Sequence, residues 1–404
     1  GVDGDSRVLR GQPGTDEYFG GSVAVAGDWL FTSAIYDDGA QSLGGKVYAW
    51  HRVGGAWQLA QAIAPPVPEA SLFLGFAMVA RDDLLLLGAS GARQGNGDRT
   101  GGVFVYRLVA GQWQLATSIL PTEYFPDARF GRSLALDGQH LAIGAPTFAP
   151  AVAQQGAVYV YRASSDFATW TLEKRIVHGP ASANRSLGYS VELRGDTLVA
   201  SDGRSRTWVF ERDRGGAAQW GLLQDLSTES VGTPTPRMLA FDGSTIALGQ
   251  QVANVNGVFF AGRVRIYRRT GPVDAPWQLA QVVTDVGGVA NGNMLGTAVT
   301  LADGLLYATG NYAGASGLGE GATLRVFRPD ATGRFRALGT AVVRGLPDPP
   351  NFSPDLQDLP VAVAGDEIVI GIGSENGANP QREDVGAAYV FRRELDLFDD
   401  GFED

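Results

Sequence analysis

The residues able to do chemistry are few in kind. The chain has 404 residues, with three histidines (His51, His140 and His178), 43 aspartates and glutamates, and no cysteine. The lack of cysteine removes thiol nucleophiles, disulfides and cysteine-held zinc together. Neither a His-Glu-x-x-His pair nor a Gly-x-Ser-x-Gly elbow occurs, so the metalloprotease and serine-hydrolase signatures are missing. Carboxylate chemistry survives this sieve, because two acids can protonate and attack a glycosidic bond. Spacing singles out no such pair, and the sequence predicts no catalytic residue, no metal ligand and no cofactor. The first reading is therefore a binding or scaffold protein; the alternative is a polysaccharide hydrolase or lyase working through carboxylates.

The residues suited to binding are aromatics mixed with Asp, Asn and Arg. They fall in Tyr36-Asp37-Asp38, in Arg93 with Asp98 and Arg99, in Tyr124-Phe125, in Asn311-Tyr312 and in Asn351-Phe352, with Phe148 and Phe259-Phe260 beside them. Such sets offer apolar faces with polar handles, which suit a protein or glycan surface. The competing role for each aromatic is to plug a loop. Nucleic acid is disfavoured by a formal net charge of -11 and by basic residues scattered along the chain rather than clustered. No apolar run approaches a membrane span; Leu84–Leu87 is a strand-sized patch flanked by charge.

These candidates are positioned by a repeat. Phe19-Gly20-Gly21-Ser22-Val23-Ala24-Val25, Phe130-Gly131-Arg132-Ser133-Leu134-Ala135-Leu136 and Leu187-Gly188-Tyr189-Ser190-Val191-Glu192-Leu193 alternate at period two and end in a Gly/Asp turn. That is a strand entering a hairpin. A second apolar run follows at once. A third strand repeats Val47-Tyr48-Ala49-Trp50, Val103-Phe104-Val105-Tyr106 and Val158-Tyr159-Val160-Tyr161. A fourth opens Trp-x-Leu at Trp57, Trp113, Trp170, Trp220 and Trp277, with Phe335 in that place once. Four strands recurring every 50 to 60 residues have the scale of a propeller blade (about 40–50 residues in the common types). The first three strands occur seven times, but the fourth is missing after Phe391-Arg392-Arg393. Its counterpart is Ser6–Arg10 at the other end of the chain. The expected fold is all-β, a single seven-bladed β-propeller over residues 1–393, with the N-terminal strand completing the last blade. An open ring would leave an edge unpaired.

The chain resembles the FG-GAP repeat family, the propeller repeats of integrin α subunits and many bacterial surface proteins. Phe130-Gly131 followed by Gly144-Ala145-Pro146 carries the likeness best, and weaker copies cover nearly the whole chain. The resemblance implies an exported protein, secreted, periplasmic or on the cell surface, whose signal peptide has been removed, and a protein or glycan as partner of a monomeric domain. Integrin-type blades carry an Asp-rich calcium loop between their first two strands. Here tight turns such as Ala26-Gly27-Asp28 and Asp137-Gly138 stand there, too poor in carboxylates to wrap calcium. Calcium binding is not carried over.

Loop lengths locate the face for binding. Turns between strands one and two, and between three and four, are short. Loops between strands two and three and between blades are long, and antiparallel alternation brings both long classes out on one face. All the binding candidates lie there. Arg194-Gly195-Asp196 spells an integrin-binding tripeptide but sits where other repeats make their hairpin turn. Gly317–Gly321 lacks the helix a phosphate loop needs. The last residues, 394–404, form an acidic tail, and Phe398–Glu403 resembles the endings of exported proteins of high-GC gammaproteobacteria.

Overall fold

The computed structural model describes residues 7–11, 18–38, 41–94, 97–123, 125–150, 155–178, 186–203, 206–226, 238–272, 274–284, 292–313, 319–344, 359–373 and 386–392. These residues form strands and turns, with no helix among them. The tail at 394–404 lies outside them.

Strand β1 (Arg7–Leu9) comes first in the chain. Blade one holds β2 (Phe19–Ala26), β3 (Trp29–Ala34), β4 (Lys46–Val53) and β5 (Ala56–Ile63). Blade two holds β6 (Leu74–Arg81), β7 (Leu84–Ala89), β8 (Gly102–Val109) and β9 (Gln112–Ile119). Blade three holds β10 (Ser133–Asp137), β11 (His140–Ala145), β12 (Ala157–Ala163) and β13 (Trp170–Ile176). Blade four holds β14 (Ser190–Arg194), β15 (Thr197–Ser201), β16 (Thr207–Glu211) and β17 (Gly221–Asp225). Blade five holds β18 (Leu239–Phe241), β19 (Thr245–Gln250), β20 (Arg263–Arg269) and β21 (Trp277–Val283). Blade six holds β22 (Val299–Ala302), β23 (Leu305–Ala313), β24 (Gly319–Pro329) and β25 (Phe335–Arg344). Blade seven holds β26 (Val361–Ala364), β27 (Glu367–Ile372) and β28 (Ala387–Arg392), with β1 as its outer strand. The fold is a seven-bladed β-propeller of four-stranded antiparallel sheets. Register places Arg7, Val8 and Leu9 opposite Val390, Tyr389 and Ala388, so the N-terminal strand completes the last blade as expected.

Two compact units share these strands. One takes Gln12–Glu17 and Ala24–Glu229; the other takes Gly1–Gly11, Tyr18–Val23 and Ser230–Asp404. In the first, apolar side chains of successive blades interleave. Phe31, Val47 and Ala49 pack with Leu85, Leu87 and Trp113, and Leu86 and Val105 pack with Leu141, Ile143 and Tyr159. In the second, Leu306, Ala308 and Phe327 pack with Ala247, Val264 and Ile266. The second strand of a blade lies deepest: β3, β7, β15, β19 and β27 are buried at every position.

The repeat signature has a packing reason. Gly131 and Gly188 adopt φ of +86° and +89°, a region open to glycine and costly for other residues. A Cβ on Gly131 would strike the carbonyl oxygen of Gly102, and one on Gly188 that of Ala157. Their own carbonyl oxygens lie against Gly88 and Gly144 of the preceding blade, where no Cβ fits. The Phe-Gly of one blade and the Gly-Ala of the blade before it thus form one backbone contact.

A second regularity escaped the sequence pattern. In blades one to six the pairing of third and fourth strands slips by one residue, leaving Ala60, Ala116, Glu173, Leu223, Ala280 and Leu338 as bulge residues. A bulge sharpens strand twist and re-aims the side chains beside it.

Candidate functional site

The loops of blades one and two enclose a concavity. After β3 the chain turns through Tyr36 and Asp37, and the Gly45 N–H returns to the Asp37 carbonyl at 3.3 Å. Asp38 closes the same loop by accepting the Leu43 N–H at 2.9 Å. The interblade loop is then tied to it, Ser71 N–H to Ser42 O at 2.8 Å and Leu74 N–H to Gly44 O at 3.0 Å. Between the two loops lies a pocket of about 170 Å³ lined by Asp37, Gln41, Lys46, Pro65, Pro68 and Glu69 among others.

Charge in this pocket is fixed rather than free to swing. Asp37 is 2% exposed and meets Lys46 Nζ at 2.9 Å. Burial of a charge is sustained by such pairing, and a short buried ion pair holds both side chains in one geometry. Glu69 is anchored by the Arg93 N–H at 2.9 Å, while Arg93 Nη1 donates to Gly97 O at 2.6 Å. The prolines supply an apolar wall. The arrangement offers acceptors from two carboxylates, donors from an ammonium and an amide, and a rigid surface against which a ring or short side chain can pack. No group of three or more His, Asp or Glu that could hold a metal occurs among the described residues.

The structure does not bring the sequence-predicted residues together at one site. Asp37 lines the pocket, Asp38 closes its rim loop, and Arg93 orients Glu69. Tyr36 packs edge-on against Phe73, centroids 6.0 Å apart, and Phe125 against Phe148 at 4.3 Å; both fill loops. Arg99 bridges Arg93 in a two-residue ladder, and the Asp98 carbonyl accepts the Gln94 N–H at 3.1 Å, so both shape a small hairpin. Asn311 departs from expectation. It is strand, not loop, because β23 and β24 stay paired as far as Ala313 and Gly319; it is buried and its Nδ2 donates to Met294 Sδ at 3.3 Å. Tyr312 shares that strand, but its side chain lies outside the described residues, as do Tyr124, Asn351 and Phe352. Arg194-Gly195-Asp196 is a hairpin turn, with Gly195 at φ +54° and its N–H given to Asp137 Oδ2 at 2.7 Å.

Sequence reasoning missed Lys46, Gln41 and Glu69, whose types are common and which meet only through the fold. It also missed Glu192 on β14. That side chain is partly accessible yet closely hemmed in, and desolvation pushes its carboxyl up to about 7 against a smaller lowering by Arg194.

Comparison with known proteins agrees with this architecture. The family model of the FG-GAP repeat matches residues 12–50 and 113–161. No curated protein matches the chain. Among solved structures, a candidate 6-phosphogluconolactonase from Bacteroides uniformis aligns at TM-score 0.54 and 14% identity, covering 86% of this chain and 90% of its own. A protein from Lactobacillus plantarum aligns at TM-score 0.50 and 14% identity, over 85% and 94%. The periplasmic gluconolactonase of Pseudomonas aeruginosa aligns at 0.49 and 13% identity, over 81% and 86%. At such identities the likeness to the first two is one of fold alone.

Proposed function

We propose, from the premise that this chain is a seven-bladed propeller of FG-GAP repeats, that it is an exported binding protein taking a protein or glycan on its long-loop face. The observation that carries this reading is the pocket of blades one and two, with its buried Asp37–Lys46 pair, its anchored Glu69 and its proline wall. A pocket of about 170 Å³ holds one sugar ring or one side chain, not a whole polymer, so the loops around it would supply the remaining contacts. The test is a glycan array and a surface-protein pull-down, followed by titration of any hit. Changing Gln41 and Glu69 to Ala and Gln should cost at least about 1.4 kcal/mol, tenfold in affinity, with thermal unfolding unchanged. Undiminished affinity in that variant would remove the pocket from the binding surface.

A second reading, a carboxylate-based enzyme acting on polysaccharide, is favoured by Glu192. A carboxyl raised to about 7 stays partly protonated at neutral pH and can donate a proton to a leaving group. Reducing ends released from a polysaccharide panel, and lost in Glu192→Gln, would establish it. Sugar lactones join the panel because a relative of similar fold bears the name of a candidate 6-phosphogluconolactonase. Silence across the panel would leave binding as the function.

A further inference from the structure

Blades two, three and four each place one side chain directly after the glycine that opens the inner strand: Phe76, Arg132 and Tyr189. The equivalent positions in blades one and six are Gly21 and Thr297, so the repeat itself does not demand an arginine there. Arg132 is only 8% exposed. Its guanidinium carbon lies 3.5 Å from the centroid of the Phe76 ring and 4.7 Å from that of Tyr189. Nη2 donates to the Tyr189 hydroxyl at 2.8 Å. Nη1 is buried and has no hydrogen-bond partner, and no carboxylate pairs with Arg132 among the described residues.

A buried, permanently charged group with an idle N–H is costly unless something else uses it. The guanidinium presents parallel N–H groups in a planar fork that matches the two oxygens of a carboxylate. Tyr189 brings one oxygen and satisfies one arm. A carboxylate brings two and would satisfy both. Phe76 and Tyr189 are partly exposed and border the guanidinium with apolar surface that the C–H groups of a sugar can meet. We infer that Arg132 anchors a carboxylate-binding site between blades two and four, selective for a sugar acid such as a uronate, in which the ligand displaces the Tyr189 hydroxyl. The site is separate from the pocket of blades one and two and stands or falls without it.

Titration calorimetry with trigalacturonate and the matched neutral galactose trimer tests the inference, using the wild-type chain, Arg132→Lys, Arg132→Gln and Tyr189→Phe. The wild type should bind the acidic trimer and prefer it to the neutral one by about tenfold or more, the scale of a charge-assisted bidentate contact. Lysine, a point charge without the fork, should weaken binding, and glutamine should abolish it. Tyr189→Phe is the sharper variant. It keeps both stacked rings and deletes the competing oxygen, so it should bind the acidic trimer more tightly than wild type. Equal affinity for acidic and neutral trimers, no binding at millimolar concentration, or weaker binding by Tyr189→Phe would each overturn the proposal. A polyglutamate peptide serves as the last arm. If it binds with the same Arg132 dependence while the trimer does not, the site is one for acidic peptides and the sugar assignment fails.

Discussion

Two junctions between neighbouring blades solve the same problem with different chemistry. At the step from blade one to blade two, the side-chain amide of Gln61 grips the backbone of Trp113. Nε2 donates to the Trp113 carbonyl at 2.9 Å, and Oε1 accepts the Trp113 N–H at 2.8 Å. Gln281 grips Phe335 identically between blades five and six, both bonds 2.8 Å. At the step from blade three to blade four the work falls to Glu173, one position earlier, on the bulge itself. Its carboxylate accepts Arg212 Nε at 3.2 Å and Trp220 Nε1 at 2.9 Å, and His140 Nε2 lies 3.5 Å away. The amide clamp mimics a pair of strand hydrogen bonds and carries no charge. The carboxylate cluster is stronger in each bond but depends on ionisation. A repeat fold therefore fixes where blades must be joined and leaves the means open.

The charged junction should be the easier to break. Glu173 is largely buried, its side chain 11% exposed, so Glu173→Ala leaves Arg212 and the Trp220 N–H without their acceptor. The expected loss is about 3 kcal/mol in denaturant unfolding. Desolvation raises the Glu173 carboxyl, but the bonds from Arg212 and Trp220 and the charges of Arg212 and His140 outweigh it and hold the group below its ordinary 4.5. A depressed carboxyl contributes stability that is present above pH 4.5 and lost as pH falls through its folded value. Wild type should accordingly lose stability on acidification more steeply than Glu173→Gln. Parallel pH dependences for the two would show that the cluster is not what ties blade four to blade three.

The neutral junction should cost less and ignore pH. Gln61→Ala removes two hydrogen bonds to backbone, a loss of about 1–2 kcal/mol, with the same value at pH 4 and pH 7. A loss that grows with acidity would mean that the clamp is coupled to titrating groups, and the contrast between the two junctions would collapse.

Much of this was legible in the sequence, and the illegible part has a common cause. Alternation, Gly/Asp turns and the missing fourth strand after Phe391 were enough to specify seven blades and the role of Arg7–Leu9. The Phe-Gly and Gly-Ala signatures were visible as strings, but that Gly131 touches Gly88 requires knowing which blade follows which. The bulges left no mark, because one added residue such as Ala60 disturbs the Trp-x-Leu pattern too little to notice. Asn311 was misplaced because Gly310 and the glycine-rich stretch beyond it look like a loop, whereas cross-strand pairing carries β23 on through Ala313. Asp37 stood out as a loop carboxylate, yet its partner Lys46 belongs to β4 and Glu69 to the next blade's approach. Arg132 was in plain view as the odd member of an aligned column. Its meaning came from Phe76 and Tyr189, each one full repeat away. Period-two patterns report which face of a strand is buried, while sites assembled across blades depend on register between repeats.

The sharpest use of that register is a gain of function in packing. Blades one and five carry the identical string Trp-Gln-Leu-Ala-Gln, at Trp57–Gln61 and Trp277–Gln281, and both make the amide clamp. Blade two reads Trp113-Gln114-Leu115-Ala116-Thr117, departing only at the last residue. Its bulge at Ala116 matches those at Ala60 and Ala280, so position 117 has the same backbone setting as Gln61 and Gln281. Thr117 is half-buried, as those glutamines are, and the first residue of the next outer strand, Trp170, stands where Trp113 and Phe335 stand. Thr117→Gln should therefore install a third clamp, onto the backbone of Trp170. The gain is small, about 0.5–1 kcal/mol, since the longer side chain gives up rotamer freedom for two hydrogen bonds. A denaturant midpoint shifted upward in Thr117→Gln but not in Thr117→Asn, whose amide is one methylene short, would show that the clamp is a property of the repeat. Equal midpoints in the two variants would mean that the junction between blades two and three is already saturated by Arg107, which reaches across to the Asp166 carbonyl at 2.6 Å, and by the Arg175–Glu123 pair.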